Sequence, residues 1–140
     1  MSSKLVIDTN VFISALISPK GASRALLRSC LQGQYQPLMG TALFLEYESI
    51  LSRSEVMARC PLPKADIEIL FAALMSVSQW IQVYYLWRPN LRDEADNHLV
   101  ELAIAGNADA IVTQNLKDFQ RAELFFPQLS ILTPEALIVE

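Results

Sequence analysis

Lys4-Leu5-Val6-Ile7-Asp8-Thr9-Asn10-Val11-Phe12-Ile13-Ser14-Ala15 is the stretch on which the fold turns. A short apolar run ends on an acid and a helical pattern follows at once, so Lys4 to Asp8 reads as a strand that becomes a helix. In an open α/β sheet, ligands bind outside the carboxyl ends of the strands. A carboxylate at such a junction faces whatever occupies the crevice.

The alternation continues along the chain. A helix from about Val11 stops before Pro19, Ala22 to Leu31 forms another ended by Gly33, and Tyr35 to Gly40 is a short strand. Thr41 is placed to cap a helix over Ala42 to Arg53, and Ser54 to Arg59 is a short helix closed by Pro61 and Pro63. Ile67, Leu70, Phe71, Leu74 and Val77 recur at spacings of three and four, which predicts a long amphipathic helix from Lys64 to about Trp80. Ile81 to Leu86 has β-rich composition and is read as strand three; Trp87 to Ala95 is a loop, and Asp96 to about Gly106 a helix. Ala108 to Gln114 is strand four, Asp118 to Leu124 a short helix, and Ser130 to Thr133 a last strand, with Pro134 starting a final helical turn. Strands separated by helices imply an α/β fold whose parallel sheet is covered on both faces.

At 140 residues the chain reads as one domain, 1–140, able to remove roughly two-thirds of its unfolded surface from water. Apolar content of 52% against 19% charged residues excludes global disorder. No apolar stretch approaches the roughly 20 residues of a membrane span, and nothing near Lys4 reads as a secretory signal, so no membrane is expected and the expected location is cytoplasmic. Cys30 and Cys60 lack C-x-x-C spacing and are read as buried reduced thiols rather than zinc ligands. A formal charge of −4 and a pI near 5.0 argue against a protein that coats nucleic acid electrostatically, though not against an enzyme whose metal ions bring the positive charge.

The acids then acquire addresses. Asp8 follows strand one and Asn115 follows strand four, so their ends share a rim if those strands are neighbours. Glu46 borders the stripe Leu43, Tyr47, Ile50 and Leu51, and Asp96 opens a helix that Leu99, Val100 and Ala103 anchor to the sheet. Singly, each has a plain role. Asp8 or Asn10 caps the first helix, Glu46 sits on a helix surface, Asp93, Glu94 and Asp96 complement a helix dipole, and Asn115 and Asp118 serve a turn. Together they pose an electrostatic problem: carboxylates converging within about 5 Å repel by roughly 3 kcal/mol per pair at an effective dielectric near 20. A divalent cation removes that repulsion, and oxygen ligands suit Mg²⁺ or Mn²⁺ better than zinc. Metal-assisted phosphodiester hydrolysis is the reaction class this implies.

Val6 to Ala15, Leu45-Glu46, Arg92-Asp93 to Asn97, and Ala108-Asp109-Ala110-Ile111-Val112-Thr113 with Asp118-Phe119 resemble a PIN domain, over about residues 4 to 138. The likeness is to the bacterial and archaeal branch of toxin components in toxin–antitoxin pairs, the VapC-like ribonucleases. It implies a three-layer α/β/α sandwich with a central parallel β-sheet, Mg²⁺- or Mn²⁺-dependent endoribonuclease activity on an RNA substrate, a cognate antitoxin protein as partner, and a homodimer. Carried over by position, Asp8, Glu46 and Asp96 match the three core acids, while Asn115 stands where a fourth acid is usual. Thr9, Asn10 and Ser14 match small polar positions near the metal, where a hydroxyl or amide orients a water or carboxylate. Asp93 is expected one layer further out, and Asp118 compensates for Asn115 through water.

Arg24, Arg28, Arg92 and Lys117 are candidate phosphate contacts, with Lys4, Lys20, Arg88 and Arg121 behind them; the plainer reading is solvated helix charge. Trp87 is read either as a base-stacking platform or as a plug beside the sheet. His98, the sole histidine, is read as a surface or packing residue pointing to another face of its helix. Phe125-Phe126 is a candidate for a dimer or antitoxin patch, with a core role as the plainer reading.

Asp93-Glu94-Ala95-Asp96 spells a helicase box, but the chain has no phosphate-binding G-x-x-x-x-G-K-[ST] loop. Two other functions fit less of the pattern. Asn115 and Ala95, where relatives carry an acid, motivate a catalytically weak PIN-like module that binds RNA or protein. A phosphoacceptor receiver domain shares the size and the acid after strand one but requires an adjacent acid pair that is missing.

Overall fold

The computed structural model describes residues 3–83, 97–119 and 126–138. Strand β1 (Ser3–Ile7) leads into α1 (Thr9–Ile17) and α2 (Ala22–Leu31); β2 (Tyr35–Met39) leads into α3 (Thr41–Leu51), α4 (Ser54–Met57) and α5 (Lys64–Val77). Then come β3 (Gln79–Trp80), α6 (Asn97–Ala105), β4 (Ala110–Val112), a 3₁₀ turn over Leu116–Phe119, β5 (Ser130–Leu132) and α7 (Pro134–Ile138). The strands form one parallel sheet in the order β3-β2-β1-β4-β5. Leu5, Val6 and Ile7 of β1 and Ala110, Ile111 and Val112 of β4 are all buried. Successive strand residues point to opposite faces, so unbroken burial means helices cover both sides, and the architecture is the expected α/β/α sandwich.

Register explains a residue that looks misplaced. Pro37 lies within β2, beside β1, with Leu5 opposite it. On its other side β3 pairs only with Leu38 and Met39, past the proline, so the missing N–H falls where β2 is still an edge.

Several boundaries differ from expectation. The helix predicted to reach Trp80 ends at Val77, and Gln79-Trp80 pair with Leu38-Met39 as β3. Ile81 extends the pairing by donating its N–H to the Met39 carbonyl at 2.8 Å, but Ile81–Val83 are not strand, and 84–86 lie outside the described residues. The Ser78 hydroxyl donates to the Leu74 carbonyl at 2.7 Å and satisfies the freed helix end, so sheet pairing overrides a helical pattern there. Thr41 does not cap: α3 starts at Thr41 with Gly40 as its N-cap and no side-chain cap bond. Gly40 is closely approached by α6, since a Cβ there would lie 3.3 Å from Leu102 Cδ1. Strand β4 is shorter than Ala108 to Gln114, and the turn expected from Asp118 begins earlier, at Leu116.

The sequence-predicted apolar stripes face the core, with Leu70, Phe71 and Val77 of α5 only partly buried against it. Ile67 and Leu74 of α5, and Leu99, Val100 and Ala103 of α6, are buried. Gly33 ends α2 with φ of 85°, the left-handed conformation that glycine adopts without strain. No helix among the described residues is long and apolar enough to cross a membrane.

Candidate active site

In this sheet β1 has β2 on one side and β4 on the other, so chain order reverses between β1 and β4. The carboxyl ends of two such strands splay their following segments apart and leave a crevice. Asp8 stands immediately after β1 and Thr113 immediately after β4. The Asp8 N–H donates to the Val112 carbonyl at 2.9 Å, which fixes the acid against the neighbouring strand.

Asp8 is only 6% exposed, and four donors hold its carboxylate. Oδ1 accepts the Thr9 N–H at 2.7 Å and the Thr9 hydroxyl at 3.3 Å. Oδ2 accepts the Thr113 hydroxyl at 2.8 Å and the Asn10 amide at 3.4 Å. Asp8 is also the N-cap of α1, so the capping and functional readings describe one geometry. Burial nevertheless pushes its pKa above the ordinary carboxylate value; the Thr113 and Thr9 bonds pull it down, and the charge of Glu46 pushes it up again.

Glu46 comes from α3. It shares with Asp8 a cleft of about 270 Å³, which Thr9, Ser49 and Arg53 also line. Its side chain is 39% exposed, at the border of the apolar stripe as expected. The adjacent Tyr47 is buried; it donates its hydroxyl to the Ile7 carbonyl at 2.7 Å and stacks on Phe12 with ring centroids 4.3 Å apart. That bond ties α3 to the last residue of β1, and hence Glu46 to Asp8. His98, in the first turn of α6, brings Nε2 within hydrogen-bond distance of Glu46 Oε2, at 2.8 Å. It does not point away to another face, as the sequence suggested; the sandwich folds α6 back onto α3.

The other candidates divide. Asn10 accepts the Gln114 N–H at 3.3 Å through its own Oδ1, bridging the ends of β1 and β4. Asn115 is exposed, and its N–H donates to the Thr113 hydroxyl at 3.0 Å; Asp118, half-buried, donates its N–H to the Asn115 carbonyl. Ser14 sits half-buried on α1 and does not line the acidic cleft. Arg24 is turned to structural use, its Nε donating to the Ala15 carbonyl at 2.6 Å at the end of α1. Arg28 lies in the last turn of α2, away from the cleft lining, and Lys117 is exposed in the 3₁₀ turn. Asp93, Asp96, Arg92, Trp87, Arg88, Arg121 and Phe125 lie outside the described residues. Among the described residues no three His, Cys, Asp or Glu side chains form a metal-holding group; the described part of the site contributes two carboxylates.

Three residues escaped sequence reasoning. Thr113 looked like the end of a strand, His98 like packing and Arg53 like a helix terminus, yet each adjoins an acid or its cleft. Only Thr113 carried a signal, as the first polar residue after the apolar strand beside β1. Both cysteines are free; Cys30 is buried as expected, and burial pushes its thiol up to about 12, whereas Cys60 is only half-buried.

The sequence matches the PIN domain family over residues 4–117, and the chain belongs to that family. Comparison with curated proteins gives no significant match. Among solved structures, the fold is similar to a chain in the crystal structure of VapBC2 from Rickettsia felis bound to a DNA fragment from their promoter. The TM-score is 0.62 at 18% identity, covering 91% of this chain and 96% of that one.

Proposed function

We propose that this PIN domain is a metal-dependent endoribonuclease that cleaves RNA in the cytoplasm as the toxin of a toxin–antitoxin pair. The observation that carries the reading is the buried Asp8 carboxylate at the β1/β4 reversal, with Glu46 in the same cleft. Asp8, Glu46 and Asp96 are the residues that would hold Mg²⁺ or Mn²⁺, with Asn115 offering a neutral oxygen. The donors fit a hard cation: they are carboxylates, and Asp8 is raised by burial and by Glu46, both of which a positive charge offsets. When bound, the ion supplies Lewis acidity toward a phosphodiester oxygen and acidifies the attacking water.

The chain's own residues do the rest. Thr9 and Thr113 fix the plane of the Asp8 carboxylate, leaving its outer lone pairs toward the cleft. Arg53, exposed on the cleft wall, is placed to bind a phosphate of the incoming strand. The VapBC2 likeness supports an antitoxin protein as partner, and a homodimer is the assembly that the sequence resemblance implies.

The test is Asp8→Asn. Cleavage of single-stranded RNA in Mn²⁺ is expected to disappear while the far-ultraviolet circular dichroism stays that of the parent. Full cleavage by the variant, or by the parent in excess EDTA, would rule out the mechanism. Undiminished RNA binding by a parent that cleaves nothing in any metal would favour the weak binding module instead.

A further inference from the structure

We infer that His98 is a positioning residue that locks the Glu46 carboxylate in the orientation needed for a cation, by donating a hydrogen bond from Nε2. The inference rests on the nuclease reading above and adds a residue to it. Glu46 has three rotatable side-chain bonds and is 39% exposed, so nothing in its own helix fixes where its oxygens lie. His98 supplies that restraint from a different element, 52 residues away, at 2.8 Å. An ionised carboxylate only accepts, so Nε2 must carry the proton. The other ring nitrogen, Nδ1, is buried without a hydrogen-bond partner among the described residues. A buried N–H with no acceptor would cost more than a bare lone pair, so the surroundings favour the proton on Nε2 over Nδ1. His98 also cannot coordinate through Nε2, because that nitrogen is already spent on Glu46.

The ring is only 19% exposed, which restricts it to small movements. It therefore acts on one oxygen, Oε2, and leaves Oε1 as the face that Glu46 offers to the cleft. This is the arrangement in which a partner behind a metal-binding group sets its direction, and loss of such a partner typically weakens metal binding about 10- to 100-fold.

The experiment titrates Mn²⁺ alone into parent, His98→Leu, His98→Gln and His98→Asn proteins by isothermal calorimetry, with thermal melts in EDTA as a folding control. Gln places an amide N–H close to the Nε2 position, whereas Asn is too short to reach it. Expected is Mn²⁺ affinity lowered about 10- to 100-fold in His98→Leu and His98→Asn, and restored to within about threefold of the parent in His98→Gln. Equal affinity in parent and His98→Leu overturns the inference and leaves the nuclease reading intact. So does a His98→Gln protein as weak as His98→Asn, because restored donation would then restore nothing. A parent that binds no Mn²⁺ overturns the nuclease reading and this inference with it.

Discussion

Replacing Thr113 by Val removes one oxygen from a fully buried position and changes the side-chain shape little. That oxygen serves two bonds: it donates to Asp8 Oδ2 at 2.8 Å and accepts the Asn115 N–H at 3.0 Å. A hydrogen bond to a charged group contributes about 1.5–3 kcal/mol, and a neutral one about 0.5–1.5 kcal/mol. The Asn115 side is only partly buried and regains water, so the expected loss is about 2–4 kcal/mol near neutral pH. For a domain of this size that is a fall of about 5–15 °C in melting temperature.

The pH dependence separates the two bonds. Burial holds the folded-state pKa of Asp8 above its ordinary value of 3.8, so folded Asp8 keeps its proton after the unfolded chain has lost it. Its contribution to stability is then full below the unfolded value and falls as pH rises through the folded one. Thr113 lowers the folded value. In the valine variant the value rises further and the fall continues to higher pH. The deficit relative to the parent is therefore smallest in acid and reaches its full size near neutrality. Urea unfolding followed by circular dichroism in EDTA, between about pH 5 and 8, measures both curves. A deficit that does not change with pH, or one below about 1 kcal/mol at neutrality, would refute the claim that Thr113 stabilises a buried charge.

Two further substitutions probe other parts of the site and its scaffold. Arg53→Ala is expected to lower kcat/KM for RNA about tenfold and to reduce the salt dependence of RNA binding by about one unit of log–log slope, the signature of one lost phosphate contact. Mn²⁺ affinity should not move, and an unchanged salt slope would place Arg53 outside the substrate path. Gly106→Ala is expected to destabilise by about 1–3 kcal/mol, because overpacking forces neighbours to shift. The added Cβ would lie 2.6 Å from Leu38 Cδ1 and 3.0 Å from Ile81 Cγ1. Denaturant midpoints within error of the parent would show that α6 is not pressed against β2 there.

What could be read from sequence was whatever depends on local periodicity. The β1–Asp8–α1 junction, the stripes of α5 and α6 and the glycine after α2 depend on neighbours a few residues away, and all were legible. Strand β3 was not, because Gln79-Trp80 become strand only through Leu38-Met39, and half of Trp80 stays exposed. Nor was the direction of His98: its helix position is compatible with several faces, and only the packing of α6 beside α3 selects Glu46. Arg24 shows the opposite failure. Its spacing with Arg28 suggested a basic strip, whereas the guanidinium closes the carbonyl end of α1.

Asp8 shows why a capping role and a catalytic one need not compete. An N-cap needs an oxygen beside the first helical N–H groups, and Thr9 provides that contact. Capping alone would be served by a neutral Ser or Asn, with no buried charge to compensate. Here the chain adds a second hydroxyl from β4, an amide from Asn10 and the positive end of α1, and the acid is still harder to ionise than in water. Those contacts fix the direction of the carboxylate without fully offsetting its desolvation. Such an imbalance weakens a purely structural residue, but it suits a site whose remaining stabilisation comes from a cation. Glu46 points the same way, because a second acid in the same cleft raises Asp8 further instead of relieving it.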